Sequence, residues 1–266
     1  MALHIVVAVK QVIDPEMPLS AFTIEAEGPR VVTPATFQPV LNGFDEHALE
    51  AALRLKDSQG ATITVVSVGG QFTLDIMKKA LAMGADNLIL CQDPLFANLS
   101  DGFVTAQVLA AAMRKIGAYD LLFCGRQASD WDNAQVPLML AELLDVPCLA
   151  LAQKIEAADG KVRVEQLIPD GYAVAEAALP ALVTVSNELG APRYPTMRTI
   201  MAANRKRPTL WKASDLALEP DVLTPRIELV ELAFPSRTQQ CEVITGADEA
   251  EAGRNLALKL REAKLI

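Results

Sequence analysis

From residue 125 the chain reads Gly-Arg-Gln-Ala-Ser-Asp-Trp-Asp-Asn-Ala-Gln, which places carboxylates at Asp130 and Asp132 and amides at Gln127, Asn133 and Gln135 in one loop. The loop follows the apolar run Tyr119 to Cys124, which has the composition of a buried parallel strand, and precedes a helical pattern from Pro137 to Leu144. It therefore sits at the C-terminal end of a strand, where open α/β sheets bind their ligands. A helix opening at Asp132 or Asn133 would aim free backbone N–H groups and a positive dipole end into the crevice, and a phosphate is the simplest anion to meet them. An ordinary turn whose Asp and Asn only cap the helix fits the same composition. Asp130 and Asp132 are separated by a single residue, and capping explains that pair better than acid–base catalysis. No convergent acid, base or nucleophile set appears elsewhere. His4 and His47 alone leave little for a histidine-based triad, and Cys91, Cys124, Cys148 and Cys241 are too dispersed for a metal site.

The elements that would position this loop alternate along the chain. Val6 to Val9 is a β-branched run that delivers Lys10 and Gln11 to the same sheet edge, where Lys10 meets either a phosphate or only solvent. Residues Asp14 to Gln38 contain short β-like stretches, Phe22 to Ile24 and Arg30 to Thr33, as in a hairpin excursion. Asn42 or Asp45 caps a helix with Ala48, Leu49, Ala52, Leu53 and Leu55 on one face, which leaves Phe44 at its mouth. Thr62 to Val68 is a second strand, running into Gly69-Gly70. A helix from Asp75 to Met83, a strand from Asn87 to Cys91 and an amphipathic pattern from Leu99 to Ile116 complete the alternation before the Tyr119 strand. Strand and helix in turn predict a doubly wound, mostly parallel α/β sheet over the first ~145 residues.

Beyond Val146-Pro147, the runs Ala150 to Ile155, Lys161 to Ile168, Tyr172 to Ala178 and Ala181 to Val185 are separated by Asp159-Gly160, Asp170-Gly171 and Pro180, which predicts hairpins added antiparallel to the sheet. The segment from Asn187 to Pro208 has a helix-like middle and contains Arg205-Lys206-Arg207. It is followed by a short helix over Trp211 to Leu216 and a charged amphipathic helix over Ala247 to Ala263. The expected organisation is a nucleotide-binding domain with its hairpin extension over 1–186, a partner-recognition segment over 187–208, and a C-terminal arm over 209–266 too poor in apolar residues for its own core.

Bulk properties narrow the function. The 266 residues carry 24 Lys and Arg against 33 Asp and Glu, a net charge of −9 that argues against nucleic-acid binding. No apolar run approaches the ~20 residues of a membrane span, and the N-terminus leads straight into a strand without a signal-like region, so a cytoplasmic protein that is not membrane-embedded is expected.

Five blocks in order resemble the β subunit of electron-transfer flavoproteins. They are Val7-Ala8-Val9-Lys10-Gln11-Val12-Ile13-Asp14, Ala80-Leu81-Ala82-Met83-Gly84-Ala85-Asp86, the loop from Gly125, Leu179-Pro180-Ala181-Leu182-Val183-Thr184-Val185, and Pro192-Arg193-Tyr194-Pro195-Thr196-Met197-Arg198-Thr199-Ile200-Met201. The resemblance implies a heterodimer with an α subunit that carries the redox-active FAD, the β subunit burying an adenine nucleotide, usually AMP. It also implies electron relay from acyl-CoA or other dehydrogenases to a membrane quinone reductase or another acceptor. Carried over by position, the nucleotide would be held by Ala8, Lys10, Asn42, Val68, Gly125, Gln127, Asp130, Asn133, Ala134, Gln135 and Val136. Phe44 would approach the flavin ring edge, and Met197 with Tyr194 would dock the dehydrogenase. Family members that bifurcate electrons hold a second FAD in place of AMP and have glycine where this chain has Trp131 and Pro137, which favours AMP here. The pattern also has an acidic residue near Ala173. A nucleotide-binding regulatory module shares the fold and is the alternative from another class, but the long tail beyond Asn187 argues against it.

Overall fold

Runs of Val, Ile and Leu that show no polar alternation become the centre of the sheet, because helices cover both of its faces. A computed structural model describes residues 2–25, 30–32, 34–97, 101–234 and 241–266. Two units separate by contacts, Met1–Val230 and Glu231–Ile266. The first unit contains strands β1 (Leu3–Ala8), β2 (Gln11–Val12), β3 (Thr23–Glu25), β4 (Arg30–Val32), β5 (Val40–Leu41), β6 (Ala61–Gly69), β7 (Asn87–Gln92), β8 (Leu121–Gly125), β9 (Cys148–Ala158), β10 (Lys161–Ile168), β11 (Gly171–Ala178), β12 (Ala181–Val185) and β13 (Thr209–Trp211). Its helices are α1 (Gly43–Gln59), α2 (Leu74–Met83), α3 (Gly102–Ile116), α4 (Val136–Leu144) and α5 (Met197–Arg205).

Among the described residues, nine strands form one sheet in the order β11-β10-β9-β12-β8-β1-β6-β7-β13. Every pairing from β9 to β13 is parallel, and β10 and β11 extend the sheet antiparallel. Successive residues of β1 serve opposite faces. Ile5 and Val7 join the core with Leu49 and Leu53 of α1 and Met77 of α2, and Val6 and Ala8 join the core with Val108 and Met113 of α3 and Leu140 of α4. This is the mostly parallel α/β architecture expected. The chain runs outward from β1 through β6 to β7, then returns to the other side of β1 with β8, so the sheet reverses direction between β1 and β8.

Three expectations are corrected. Residues Ala150 to Ile155 do form the expected antiparallel hairpin with Lys161 to Ile168, but β9 joins the rest of the sheet parallel to β12, and Ala181 to Val185 is no antiparallel addition: β12 inserts between β8 and β9. The fully buried Ala181–Val185 run has the composition of a central strand, but local turn signals do not reveal which neighbour it will pair with. Trp211 belongs to a strand and not a helix. β13 pairs parallel with β7, and a single 3-10 turn follows over Ala213–Leu216. Consequently residues 209–230 belong to the first unit, and only 231–266 form the second. Finally, α3 begins at Gly102, capped by Asp101 Oδ1, which accepts from Phe103 N at 2.8 Å. Leu99, where the sequence pattern opened, lies outside the described residues, as does Thr33 of the early hairpin, whose paired strands are β3 and β4, with Phe22 just before β3.

The second unit contains α6 (Glu249–Glu262), capped by Asp248 Oδ1, which accepts from Glu251 N at 2.8 Å, and none of its residues is buried. Among the described residues no helix is long and apolar enough to cross a membrane.

Candidate nucleotide site

The reversal of the sheet leaves a crevice at the C-terminal ends of β1, β6 and β8, and one carboxylate ties two of those ends together. Asp45, in the first turn of α1, accepts from Lys10 N at 2.7 Å and from Gly125 N at 3.0 Å, one bond to each oxygen. The approach requires glycine at 125, because a Cβ there would stand 2.5 Å from Asp45 Oδ1 and 2.6 Å from the carbonyl carbon of Phe44. Burial raises the Asp45 carboxyl to about 7, against the lowering effect of its hydrogen bonds with Asn42, Lys10 and Gly125 and of the Lys10 charge. Both oxygens are thus engaged by the strand ends rather than by the N–H groups of the first turn of α1. The sequence offered Asp45 only as a cap, so its structural role at the site was missed. A carboxylate in the first turn of the helix that follows β1 was the available signal.

Asn42 also departs from the expected cap. It occupies the N-cap position of α1 without a side-chain capping bond. Its buried amide instead reaches the loop, Nδ2 donating to Gln127 O at 2.9 Å and Oδ1 accepting from Ser129 N at 3.2 Å. The loop is thus fastened to the mouth of α1. Lys10 closes it from the other side, its Nζ lying 2.7 Å from Asp130 Oδ2, and Gln127 Nε2 donates to Asp132 Oδ1 at 2.7 Å.

The helix after the loop opens later than the expected Asp132 or Asn133. Asp132 and Ala134 have φ of 52° and 53°, a left-handed geometry that cannot continue a right-handed helix. Helix α4 begins at Val136, with Gln135 at the N-cap and Pro137 in the first turn, where its missing N–H costs nothing. A left-handed Ala134 followed by Gln135 in the right-handed region is the alternation from which backbone N–H nests for anions are built. The start of α3 faces the same space: a Cβ on Gly102 would lie 3.5 Å from Gln135 Oε1. Two helix N-termini therefore converge on the crevice.

Of the residues chosen from sequence, Ala8, Lys10, Asn42, Val68, Gly125, Gln127, Asn133, Ala134, Gln135 and Val136 all line this crevice. Asp130 takes part through its ion pair with Lys10. Sequence reasoning missed Gly102 and Thr105 of α3, which also line it. They open the helix that follows β7, so the rule that pointed to the loop would have pointed to this connection as well. Trp131 forms part of the wall and remains 43% exposed.

The other chosen residues lie outside the crevice. Phe44, the second residue of α1, is half-buried beneath the Arg126 guanidinium, whose carbon lies 5.0 Å from the ring centroid. Tyr194 and Met197 flank the start of α5 and are 90% and 72% exposed. Their segment is held by Arg193, which donates from its backbone N and its Nε to Glu50 Oε2 of α1 at 3.1 and 2.8 Å and from Nη2 to Asp57 at 2.8 Å. Burial alone would raise Glu50, but the bonds from Arg193 and Arg54 outweigh it and hold the carboxyl below its usual range.

A family model described as the electron transfer flavoprotein domain matches residues 32–216. The electron transfer flavoprotein subunit beta of Thermoanaerobacterium thermosaccharolyticum is 36% identical over 231 residues, 85% of this chain and 88% of the relative. A subunit of the caffeyl-CoA reductase-Etf complex of Acetobacterium woodii, CarD, matches with the same identity and coverage. The acryloyl-CoA reductase electron transfer subunit gamma of Anaerotignum propionicum is 34% identical over 207 residues, 77% of this chain and 75% of the relative.

Proposed function

This chain belongs to the electron transfer flavoprotein β-subunit family, and on that premise we propose that its crevice holds AMP as a structural ligand while the chain pairs with an α subunit that carries FAD. The observation that carries the reading is the convergence of the Lys10 ammonium, the Ala134–Gln135 turn and the starts of α3 and α4 on one space at the sheet reversal. Those groups would hold the phosphate, and Ala8, Val9, Val68 and Leu109 supply apolar wall for the base. Adenine has no accessible redox state, so AMP would serve assembly and the flavin of the partner would carry the electrons. Trp131 in the wall favours the smaller nucleotide over a second FAD, since an indole brings on the order of 200 Å² of surface that must be accommodated.

Electrons would come from acyl-CoA or other dehydrogenases, docked at Tyr194 and Met197, and leave to a membrane quinone reductase or another acceptor. Relatives named for caffeyl-CoA and acryloyl-CoA reductases favour enzymes of CoA thioesters as the redox partners. The C-terminal residues 231–266, with Leu256 and Leu258 of α6 uncovered, would close on the α subunit. The test is to co-purify the two subunits, release their nucleotides by heat, identify them by mass and count flavin per heterodimer. One FAD and one AMP are expected. Two flavins per heterodimer would replace AMP by a second FAD, and a pair without flavin would sink the reading.

A further inference from the structure

Arg126 is an unusual charge for its location. It follows the last residue of β8, its backbone N donates to Val185 O at 3.1 Å, and this fixes it to the end of the β8–β12 pair. Its Nε is buried without a hydrogen-bond partner. Among the described residues, no carboxylate lies within ion-pair distance of its guanidinium. Glu188 feels the charges of Arg126 and His47 at longer range, but its carboxylate accepts from Ser186 Oγ. What positions the guanidinium is the face of Phe44, 5.0 Å away. A buried donor without an acceptor destabilises a fold, and one that persists calls for a functional explanation. Arg193, which also packs on α1, shows the ordinary alternative, since Glu50 and Asp57 neutralise it.

We propose that Arg126 sets the reduction potential of the partner's flavin, acting through its charge across the ring of Phe44. This rests on the reading that Phe44 approaches the flavin. A guanidinium keeps its charge at every working pH, and its planar head stacks on an aromatic face. Two-electron reduction with uptake of a single proton would leave one additional negative charge on the flavin ring system, the electrons coming from the donor dehydrogenase and the proton from it or from solvent. A fixed cation nearby favours that state, as charge placed near a flavin does in general. Arg126 lies outside the nucleotide crevice, so its effect is separable from AMP binding.

The experiment is potentiometric titration of the heterodimer, followed by visible absorbance, with flavin content and subunit stoichiometry recorded for each variant. Arg126→Gln is expected to shift the balance toward oxidised flavin by about tenfold, equal to about 30 mV for a two-electron couple. Arg126→Lys, which keeps the charge, is expected to stay within about threefold of the parent. Arg126→Met preserves packing over Phe44 and stands in if the glutamine variant does not assemble. An unchanged potential in the uncharged variants, with a shift in Phe44→Ala, overturns the role of Arg126 and leaves the placement of Phe44 intact. No shift in any of them, with flavin still bound, overturns both. Equal shifts in the lysine and uncharged variants would mean packing and not charge, and would also overturn the proposal.

Discussion

Asp45 and Glu50 are buried on the same helix, and each fastens a different region, the crevice in one case and the segment leading into α5 in the other. Asp45 holds the crevice by accepting two backbone N–H groups, with the Lys10 ammonium engaged by Asp130. Glu50 holds the Arg193 segment by accepting from two arginine side chains and a backbone N–H. Their carboxyls consequently move in opposite directions, Asp45 up to about 7 and Glu50 downward. Burial penalises both charges. Asp45 bears the heavier desolvation, which its bonds with Asn42, Lys10 and Gly125 and the Lys10 charge do not overcome, whereas the bonded arginines overcome the lighter penalty on Glu50. The crevice is therefore held by a neutralisable carboxyl, and the segment before α5 by an ionic clasp.

The largest expected effect comes from removing the device. Asp45→Ala leaves the N–H groups of Lys10 and Gly125 without their acceptor in a buried place, and each orphan costs about 1–3 kcal/mol. Urea unfolding should show a loss of about 3 kcal/mol or more, with nucleotide lost as the strand ends separate. Asp45→Asn keeps one acceptor oxygen and should lose roughly half as much. Equal stability in the alanine variant would mean that the two strand ends are held by the ladder alone.

Opposite shifts predict opposite pH slopes. Asp45 has a folded value of about 7, above its unfolded value near 3.8, so its contribution is fully present below about pH 4 and is lost as pH rises through 7. Glu50, depressed in the fold, contributes above its unfolded value near 4.5 and loses that contribution as pH falls through its folded value. Between pH 4 and 7 the stability of Asp45→Asn should therefore gain on the parent, by on the order of 2–4 kcal/mol. Glu50→Gln should gain on the parent only in acid. Denaturant titrations across pH 3 to 8 measure both, and parallel curves for Asp45→Asn and the parent would show that Asp45 ionises normally in the fold.

The two regions also differ in how far sequence reached them. The crevice loop was legible because a single rule, ligands at the C-terminal ends of parallel strands, selects Lys10, Val68 and Gly125 together from three separate strands. Exposure of Met197 could be guessed from the prolines before it. What stayed hidden depended on long-range or conformational facts. Neither Asp132 nor Ala134 is a glycine, so nothing local announced left-handed residues or delayed the expected helix to Val136. Asp45 reads as a cap until Gly125, eighty residues later, is seen to donate to it. The parallel insertion of β12 was invisible because turn residues describe neighbours in sequence, and its partners β8 and β9 are chosen by burial.

The docking segment should respond to substitution without a cost to the fold. Met197 is 72% exposed at the first residue of α5, and the Arg193 clasp does not involve it. In the proposed role its flexible thioether is the anchor that enters the dehydrogenase surface, and truncating an anchor costs ~1–3 kcal/mol of binding. Met197→Ala should thus weaken dehydrogenase affinity by about ten- to a hundredfold, with the thermal midpoint and flavin content unchanged. Tyr194→Ala should do the same to a smaller degree. Loss of stability with affinity retained would place Met197 in the structural role instead.

The smallest effect tests how the crevice is charged before a ligand arrives. Lys10 and Asp130 form an ion pair whose side chains are 44% and 18% exposed, so it contributes at most ~1 kcal/mol to stability. Its larger consequence is for binding, because an incoming phosphate must share the ammonium with a carboxylate already 2.7 Å away. Asp130→Asn removes the competing charge and keeps the shape and hydrogen-bonding capacity of the side chain. Thermal unfolding should move by about 1 kcal/mol or less, while AMP should bind the nucleotide-stripped protein a few-fold more tightly by calorimetry. The gain should shrink as salt is added, since screening weakens the exposed charge on both sides of the exchange. Weaker AMP binding by Asp130→Asn would reverse the assignment: the carboxylate would then be a contact to the nucleotide itself, and Lys10 would serve to orient it.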